Sequence, residues 1–500
     1  MQIQKLLIAN RGEISQRIIR SAREMGIRTV AIYSEADRKA PFVRLADEAI
    51  CIGPPPSYQS YLQMDRIIQV ALDLQVDAIH PGYGFLSENA SFAQKVADAG
   101  IIFVGPSPKA IATMGDKLKA KQAVSRYDIP LVPGTEEPIS DINKAKRIAL
   151  EIGYPILIKA SAGGGGKGMR IVENGDDFEE QMKRAVSEAQ SAFGDPSVFI
   201  EKYISSPKHI EIQILGDQHG HIVHLFEREC SVQRRHQKVV EEAPSGTLTG
   251  DVRQKMGDAA VKVAKACDYY GAGTVEFIVD EAMNFYFLEM NTRLQVEHPV
   301  TELITGKDLV REQLLIAEGK PLSFTQNDLR IQGHAIEIRV YAEDPENNFL
   351  PDTGILKRYC PPMGPGIRVD DGFEEGMEIP VFYDPMISKL IVHDESREKA
   401  IRRMIRAIGE YQITGVKNTL AFCKFVMEHP EFRSAAFTTK FVENHFSPEN
   451  LEPEFTPGEK KAMAAFVGNW IVDNQQNGSS PQSTKDVKNR SPWKNRITHG

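Results

Sequence analysis

Two glutamates and an asparagine make the sharpest chemical pattern in the chain. In Thr274-Val275-Glu276-Phe277-Ile278-Val279-Asp280, Glu276 alternates with Val275, Phe277 and Val279; in Phe287-Leu288-Glu289-Met290-Asn291, Glu289 and Asn291 fall on one face, about 7 Å apart in an extended strand. If residues 281–284 form the loop of a hairpin, Glu276 sits directly opposite Glu289. Like charges so placed repel unless a cation lies between them, and oxygen ligands of this kind suit Mg²⁺ or Mn²⁺ bridging nucleotide phosphates. A plainer reading leaves both glutamates solvated on an exposed face. Arg293, Gln295, Glu297 and His298 follow at once and weigh against it.

A glycine run, Ser161-Ala162-Gly163-Gly164-Gly165-Gly166-Lys167-Gly168-Met169, is the second signal. It is not a P-loop, because Lys167 precedes glycine instead of Ser or Thr. Nor is it a dinucleotide turn, since a strand (Arg170 to Val172) follows where a helix is needed. What remains is a hairpin loop whose bare backbone N–H groups can close over phosphates. A flexible linker is the ordinary alternative; Lys159, on the strand face opposite Ile156 and Ile158, favours a phosphate lid. His209, Glu211 and Gln213 alternate with Ile210, Ile212 and Ile214, and Arg339 alternates with Ile336, Ile338 and Val340. Gln233, His236 and Lys238 sit in a run, 228–238, that reads by itself as a solvated basic patch.

The elements that must position these groups follow from periodicity. Residues 3–9 form a buried strand; Ile14, Ile18, Ile19, Ala22 and Met25 recur at helical spacing until Gly26, and a second strand spans Thr29 to Tyr33. Val76 to His80, a helix from about Ser87 to Ala99, and Ile101 to Gly105 repeat the order, which implies a Rossmann-like parallel sheet over the first 114 residues. Its first turn, Asn10-Arg11-Gly12-Glu13, lacks Gly-x-Gly-x-x-Gly, so a dehydrogenase is excluded. Three strands (Ile156 to Ala160, Met169 to Val172, Val198 to Tyr203) and a helix, Asp177 to Phe193, make a compact segment at 135–203. Hairpins follow at 209–227 and 274–291, and a further unit runs from 331 to 446 with a helix from Ser396 to Ile408.

At 500 residues the chain has room for about three structural units. Its net charge of −8 argues against a general nucleic-acid binder. The apolar runs fall far short of a membrane span, the N-terminus has no signal-peptide core, and five well-separated cysteines offer neither a Cys-x-x-Cys pair nor a complete disulfide set. A cytoplasmic, soluble protein is expected.

Read together, Ala9-Asn10-Arg11-Gly12-Glu13, His80-Pro81-Gly82-Tyr83-Gly84-Phe85-Leu86-Ser87-Glu88-Asn89, Met114-Gly115-Asp116-Lys117, the glycine loop, Glu227-Arg228-Glu229-Cys230-Ser231 and Glu289 to His298 closely resemble biotin carboxylase. The resemblance runs from residue 1 to about 446. It implies an α/β and α+β ATP-grasp fold: an N-terminal Rossmann-like domain (1–114), an ATP-grasp domain (115–330) with a mobile lid at about 135–203, and a C-terminal biotin carboxylase domain (331–446), followed by an extension (447–500).

Carried over position by position, the resemblance implies that Lys117, Lys159, Gly165, Gly166, His209, Gln233 and His236 hold ATP, with Glu201, Lys202, Tyr203 and Ile204 lining the adenine. Glu276 and Glu289 also reach the nucleotide and, with Asn291, bind two Mg²⁺ or Mn²⁺ ions. Lys238, Arg293, Gln295 and the Val296 backbone take bicarbonate, Glu297 removes its proton, Arg339 stabilises the biotin enolate, and Tyr83 lies near the ureido ring. The implied reaction is ATP-dependent carboxylation of biotin, a C–N bond-forming ligation that opens the cycle of a biotin-dependent carboxylase such as the acetyl-CoA carboxylase of fatty acid biosynthesis. Competing readings are another ATP-grasp ligase or a non-catalytic nucleotide-binding protein.

The chain has no Met-Lys-Met biotinylation site and no length for a carboxyltransferase. A biotin carrier protein and a transferase are therefore expected as separate partners, with a homodimer expected from the resemblance. The extension holds both tryptophans, Trp470 and Trp493, and from Gln475 onward five basic residues against one acidic. Ala462, Ala465, Phe466, Asn469 and Trp470 read there as an amphipathic stretch that docks a partner, ahead of a disordered tail from about 474.

Overall fold

The computed structural model describes residues 2–135, 137–139, 141–160, 169–235, 237–451 and 457–476. Residues up to Leu451 form one unit and those from Glu452 a second.

The first five strands, β1 (Lys5–Ile8), β2 (Arg28–Ser34), β3 (Glu48–Gly53), β4 (Ala78–His80) and β5 (Ile102–Phe103), form a parallel sheet in the order β3-β2-β1-β4-β5. Between β1 and β2 the helix Gly12–Glu24 buries Ile14, Ile18, Ile19 and Ala22, and Gly26 ends it at φ +76°. The edge strand β3 escapes the periodicity reading, because Glu48-Ala49-Ile50-Cys51 is half-exposed and carries little apolar alternation. The order reverses direction between β1 and β4, and loops leaving the carboxyl ends of those two strands are the ones placed to meet a ligand.

Strands β6 (Ile156–Ala160), β7 (Met169–Val172) and β8 (Val198–Lys202) form an antiparallel sheet in the order β7-β6-β8. The helices Ile142–Ile152 and Phe178–Phe193 pack on it. Ile156 and Ile158 are buried while Lys159 lies on the opposite face, as alternation requires.

The eight-stranded sheet is the frame of the site. It contains β9 (Lys208–Gly216), β10 (Ile222–Arg234), β11 (Gln237–Ala243), β12 (Gly271–Val279), β13 (Phe285–Asn291) and β14 (His334–Tyr341). After the short pair β15 (Glu343–Asp344) and β16 (Leu350–Pro351), and β17 (Arg358–Cys360), it continues through β18 (Ile367–Asp371) and β19 (Met386–Asp394). The order is β13-β12-β9-β10-β11-β14-β19-β18, antiparallel wherever strands pair, and β20 (Gln412–Thr414) pairs with β17. The sheet thus runs unbroken across position 330. One core lies against its β9–β12 part, around Ile210, Ile212, Phe277 and the helix Gly250–Lys265; another lies against β14 and β19, around Ile338, Leu390, Met404 and Phe422.

Glu276 does pair with Glu289, but by a different route from a four-residue loop. Met283 N–H donates to Asp280 O (3.0 Å), and Met283 adopts φ +63° at the end of a tight turn. The register that leaves this turn would set Glu276 against Leu288. A β-bulge between the Phe277–Phe287 and Glu276–Glu289 pairs inserts one residue and shifts the ladder.

In the second unit the helix Pro457–Gln476 extends past residue 474. Met463, Phe466, Val467, Trp470 and Ile471 are exposed, and its apolar residues surround the axis instead of forming one stripe, so the amphipathic expectation is not met. The expected tail from residue 477, with Trp493, lies outside the described residues. Among the described residues no helix is long and apolar enough to cross a membrane.

Candidate active site

Cross-strand pairing lines up Glu289, Glu276, Glu211 and Arg228 in one row over β13, β12, β9 and β10, beside a second row of Asn291, Thr274 and Gln213. Three neighbouring carboxylates would repel strongly in a buried sheet. Arg228 answers this. It is fully buried, and its Nε donates to Glu211 Oε1 (2.5 Å). One terminal nitrogen reaches Gln213 Oε1 (2.7 Å) and Thr301 Oγ1 (2.9 Å); the other reaches Thr274 Oγ1 (3.0 Å) and Gln295 Oε1 (2.7 Å). All five donors of the guanidinium are used. Neither alternation nor resemblance assigns Arg228 a role, and the run 228–238 is not a solvated patch: Arg228, Glu229, Cys230, Ser231 and Val232 are buried.

Lys238, on β11, sits where three carboxylates converge. Its Nζ donates to Glu211 Oε2 (2.5 Å), Glu297 Oε1 (2.7 Å) and Glu276 Oε1 (3.0 Å). Burial lowers its pKa, but the three glutamates outweigh that and hold it well above the ordinary lysine value. Glu276 Oε1 also accepts from Asn291 Nδ2 (2.9 Å) and Gln295 Nε2 (2.8 Å), which leaves Oε2 facing His209 Nε2 at 2.9 Å. Burial pushes the Glu276 carboxyl up; Lys238 and His209 override it and keep it well below the usual carboxylate range. Glu276 is 5% exposed and Asn291 8%, which removes the exposed-face reading, while Glu289 is half-buried. Oxygen donors crowded on adjacent strands fit Mg²⁺ or Mn²⁺, with Glu276 Oε2 and Glu289 able to hold it. Asn291 Oδ1 accepts from Arg293 (2.9 Å) in this arrangement.

Glu297 bridges two cations. Its Oε1 accepts from Lys238 and its Oε2 from an Arg339 terminal nitrogen at 3.0 Å, while Arg339 Nε donates to Glu241 Oε1 (2.6 Å). Burial raises the Glu297 pKa, and Lys238, Arg339 and Arg228 drive it well below the ordinary value. The side chain is therefore ionised. Glu241 is different: burial lifts it to about 7 despite Arg339.

The segment between Asn291 and His298 carries the remaining anion-binding candidates. Arg293 Nε donates to Glu88 Oε2 (2.8 Å) and Thr292 N–H to Glu88 Oε1 (3.1 Å), a clamp through which Glu88 positions Arg293. Arg293, Val296, Arg339 and Tyr83 line a cleft of about 510 Å³ together with Phe85 and Tyr383. Tyr83 is delivered by a strained loop. Asn10 Nδ2, beyond β1, donates to Pro81 O and Tyr83 O (2.7 Å each), and Gly82 at φ +63° could not carry a Cβ, which would fall 2.9 Å from that nitrogen.

At the far side, Lys159 and Lys121 both bond Glu201, which they hold below its ordinary pKa against burial. Lys202 Nζ donates to Gly153 O and Tyr154 O (2.9 Å each), so its side chain is occupied while Tyr203 and Ile204 beside it stay half-buried. Gln233 Nε2 meets His209 Nδ1 at 3.0 Å, joining two of the expected nucleotide contacts. Lys117 opens the helix Lys117–Ser125; its side chain, and Gly165, Gly166 and His236, lie outside the described residues.

Family models match the chain over residues 2–111 (biotin carboxylase, N-terminal domain), 116–325 (carbamoyl-phosphate synthase L chain, ATP binding domain) and 337–444 (biotin carboxylase C-terminal domain). A biotin carboxylase of Halalkalibacterium halodurans is 53% identical over 441 residues, 88% of this chain and 97% of its own length. The chain belongs to the biotin carboxylase family. Its relatives include a pyruvate carboxylase subunit of Methanothermobacter thermautotrophicus, 49% identical over 484 residues, 93% of this chain and 98% of that one. Among solved structures, the biotin carboxylase domain dimer of Hydrogenobacter thermophilus 2-oxoglutarate carboxylase, in complex with MgADP, ADP and bicarbonate, is 48% identical with a TM-score of 0.84, covering 91% of this chain and all of that one. The ATP-grasp fold of a biotin carboxylase is thus the fold of this chain.

Proposed function

We propose that the chain catalyses ATP-dependent carboxylation of biotin with bicarbonate, and that one observation carries the reading: a buried Glu297 carboxyl held between Lys238 and Arg339. A base lies between one cation suited to bicarbonate and another suited to the ureido group of biotin. Bicarbonate is a poor electrophile; losing its proton to Glu297, it attacks the γ-phosphorus of ATP, ADP leaves, and carboxyphosphate forms. Carboxyphosphate releases CO₂, the phosphate formed takes the biotin N1 proton, and N1 attacks CO₂.

Lys238, Arg293, Gln295 and the Val296 N–H hold bicarbonate in this reading, and Arg339, with Tyr83 near the ring, holds the enolate. Arg293 and Arg339 present planar forks that lysine cannot mimic. Lys117, Lys159, the loop glycines, Glu201 to Ile204, His209, Gln233 and His236 hold ATP. Glu276, Glu289 and Asn291 hold two Mg²⁺ or Mn²⁺ ions, which supply charge neutralisation at the phosphates when bound. The division into 1–114, 115–330, 331–446 and 447–500, with a lid at 135–203 that closes to exclude water, belongs to the same reading.

The biotin is carried on a separate protein and passed to a carboxyltransferase, and the chain works as a cytoplasmic homodimer. Acetyl-CoA carboxylation in fatty acid biosynthesis is one acceptor system for such a protein. Relatives are also named for pyruvate and propionyl-CoA carboxylases, and pull-down of the transferase identifies the acceptor.

ATP cleavage assayed with bicarbonate, with and without free biotin, tests the function. Biotin-stimulated cleavage with carboxybiotin as product is expected, and bicarbonate-independent ATP turnover would refute it. Arg339→Ala is expected to lower biotin carboxylation by about tenfold or more beyond its effect on bicarbonate-dependent ATP cleavage. Equal losses in the two assays would remove its enolate role.

A further inference from the structure

Two buried side chains outside the family-derived roles close on the backbone around Val296. His298 is fully buried, and its Nδ1 lies 2.8 Å from Gln295 O. A carbonyl only accepts, so Nδ1 carries the hydrogen. Lys389, also fully buried, donates from Nζ to Val296 O at 2.8 Å. It stands on β19 directly opposite Arg339 on β14, and Glu13 Oε2 (3.4 Å) and Asp370 Oδ2 (3.8 Å) balance its charge.

Each of these bonds fixes one peptide plane. In a trans peptide C=O and N–H point in opposite directions. Holding Gln295 O therefore aims the Val296 N–H, and holding Val296 O fixes the plane that leads to Glu297. The geometry points to His298 and Lys389 as positioning residues that clamp the two peptides flanking Val296, directing its N–H toward the bicarbonate and setting the Glu297 carboxylate between Lys238 and Arg339. This rests on the bicarbonate role of Val296 proposed above.

The clamp gives the reaction a donor that needs no reorganisation when the anion arrives, the arrangement that makes fixed backbone N–H groups effective. An imidazole suits the Gln295 side of it. Burial, with Lys389, Arg17 and Arg368 nearby, holds His298 well below its ordinary pKa, so it adds a directed hydrogen and no charge.

His298→Phe keeps a ring of similar size and removes the donor, whereas His298→Asn returns an N–H near the Nδ1 position. In steady-state assays His298→Phe is expected to raise the bicarbonate KM by about tenfold or more, with the ATP KM within about twofold of wild type, the split expected when one fixed anion donor is misdirected. His298→Asn should recover most of that loss, and Lys389→Met should shift the bicarbonate KM in the same direction. A folded His298→Phe variant with a normal bicarbonate KM, or an Asn variant no better than Phe, overturns the clamp.

Arg293→Ala serves as reference. If it raises the bicarbonate KM while His298→Phe does not, the clamp alone falls; if neither does, the anion-site reading falls with it. A direct measurement on the unmutated protein avoids reliance on variants that fold. With Gln labelled at the carbonyl carbon and Val at nitrogen, the Gln-Val pairs 69–70, 75–76 and 295–296 are selected; the Val296 amide resonance, assigned by its disappearance in Val296→Ile, should move on adding bicarbonate to the unmutated protein in the presence of MgADP, and a stationary resonance also overturns the proposal.

Discussion

Glu297→Gln is expected to lower biotin carboxylation by on the order of 10²–10⁴-fold, the contribution of a general base, while nucleotide binding changes little. The side chain accepts from Lys238 and Arg339 with both oxygens, and an amide can accept with only one. Those same cations make the resting carboxylate a weak base. In the proposed reaction an arriving bicarbonate would compete for Lys238, and a weaker hold by that donor would raise the Glu297 pKa as the proton is taken. The carboxyl is ionised in the folded state far below its unfolded value, so the stability it lends is present above the ordinary carboxylate range and is lost as pH falls through the depressed pKa. Carboxybiotin formation and nucleotide titration, measured side by side, check the prediction. Near-normal carboxylation by the glutamine variant would refute the assignment.

The second large effect is on stability. Arg228→Met should cost about 3–5 kcal/mol, because it leaves the fully buried Glu211 with Lys238 as its remaining cationic partner and strips donors from Gln213, Thr274, Thr301 and Gln295. Arg228→Lys should rescue little, since an ammonium cannot span partners on β9, β12 and the segment after Asn291 at once. Urea midpoints with unchanged slope measure the difference. A loss under about 1 kcal/mol would mean that the buried network relaxes around the missing guanidinium.

The contrast between Glu276 and Arg228 shows what is legible in the sequence. Glu276, Glu289 and Asn291 lie within one hairpin, where a period of two residues reports which side chains share a face. Lys159 and Arg339 fall on their faces by the same rule. Arg228 makes contacts with Thr301 and Gln295 from more than sixty positions away, and Lys389 reaches Val296 across 93. No local pattern encodes such pairs. Their one trace in the sequence is charge inside buried strands, as Glu227, Arg228 and Glu229 between Phe226 and Val232 and the lone Lys389 between Ile387 and Val392, where a buried charge calls for a partner. Resemblance supplies the roles of Lys238 and Gln295, but it passes over Glu88, His298 and Lys389, which act through the backbone or through another side chain.

The bulge on β13 has a consequence for how this hairpin tolerates change. Phe287 stands opposite Phe277 in the core and Glu289 stands opposite Glu276 at the site, although the two residues are two apart and would share a face in a regular strand. Leu288 acts as a phase shifter between oil and charge. Deleting it would remove the bulge: the Phe277–Phe287 register would continue straight into Glu276–Glu289, with Phe287 and Glu289 now adjacent and so on opposite faces. Loss of Leu288 should therefore be milder than loss of Met290, which would make Glu289 and Asn291 neighbours and turn one of them away from the face that carries the carboxylates; what this strand must keep is an even spacing between its ligand-bearing residues.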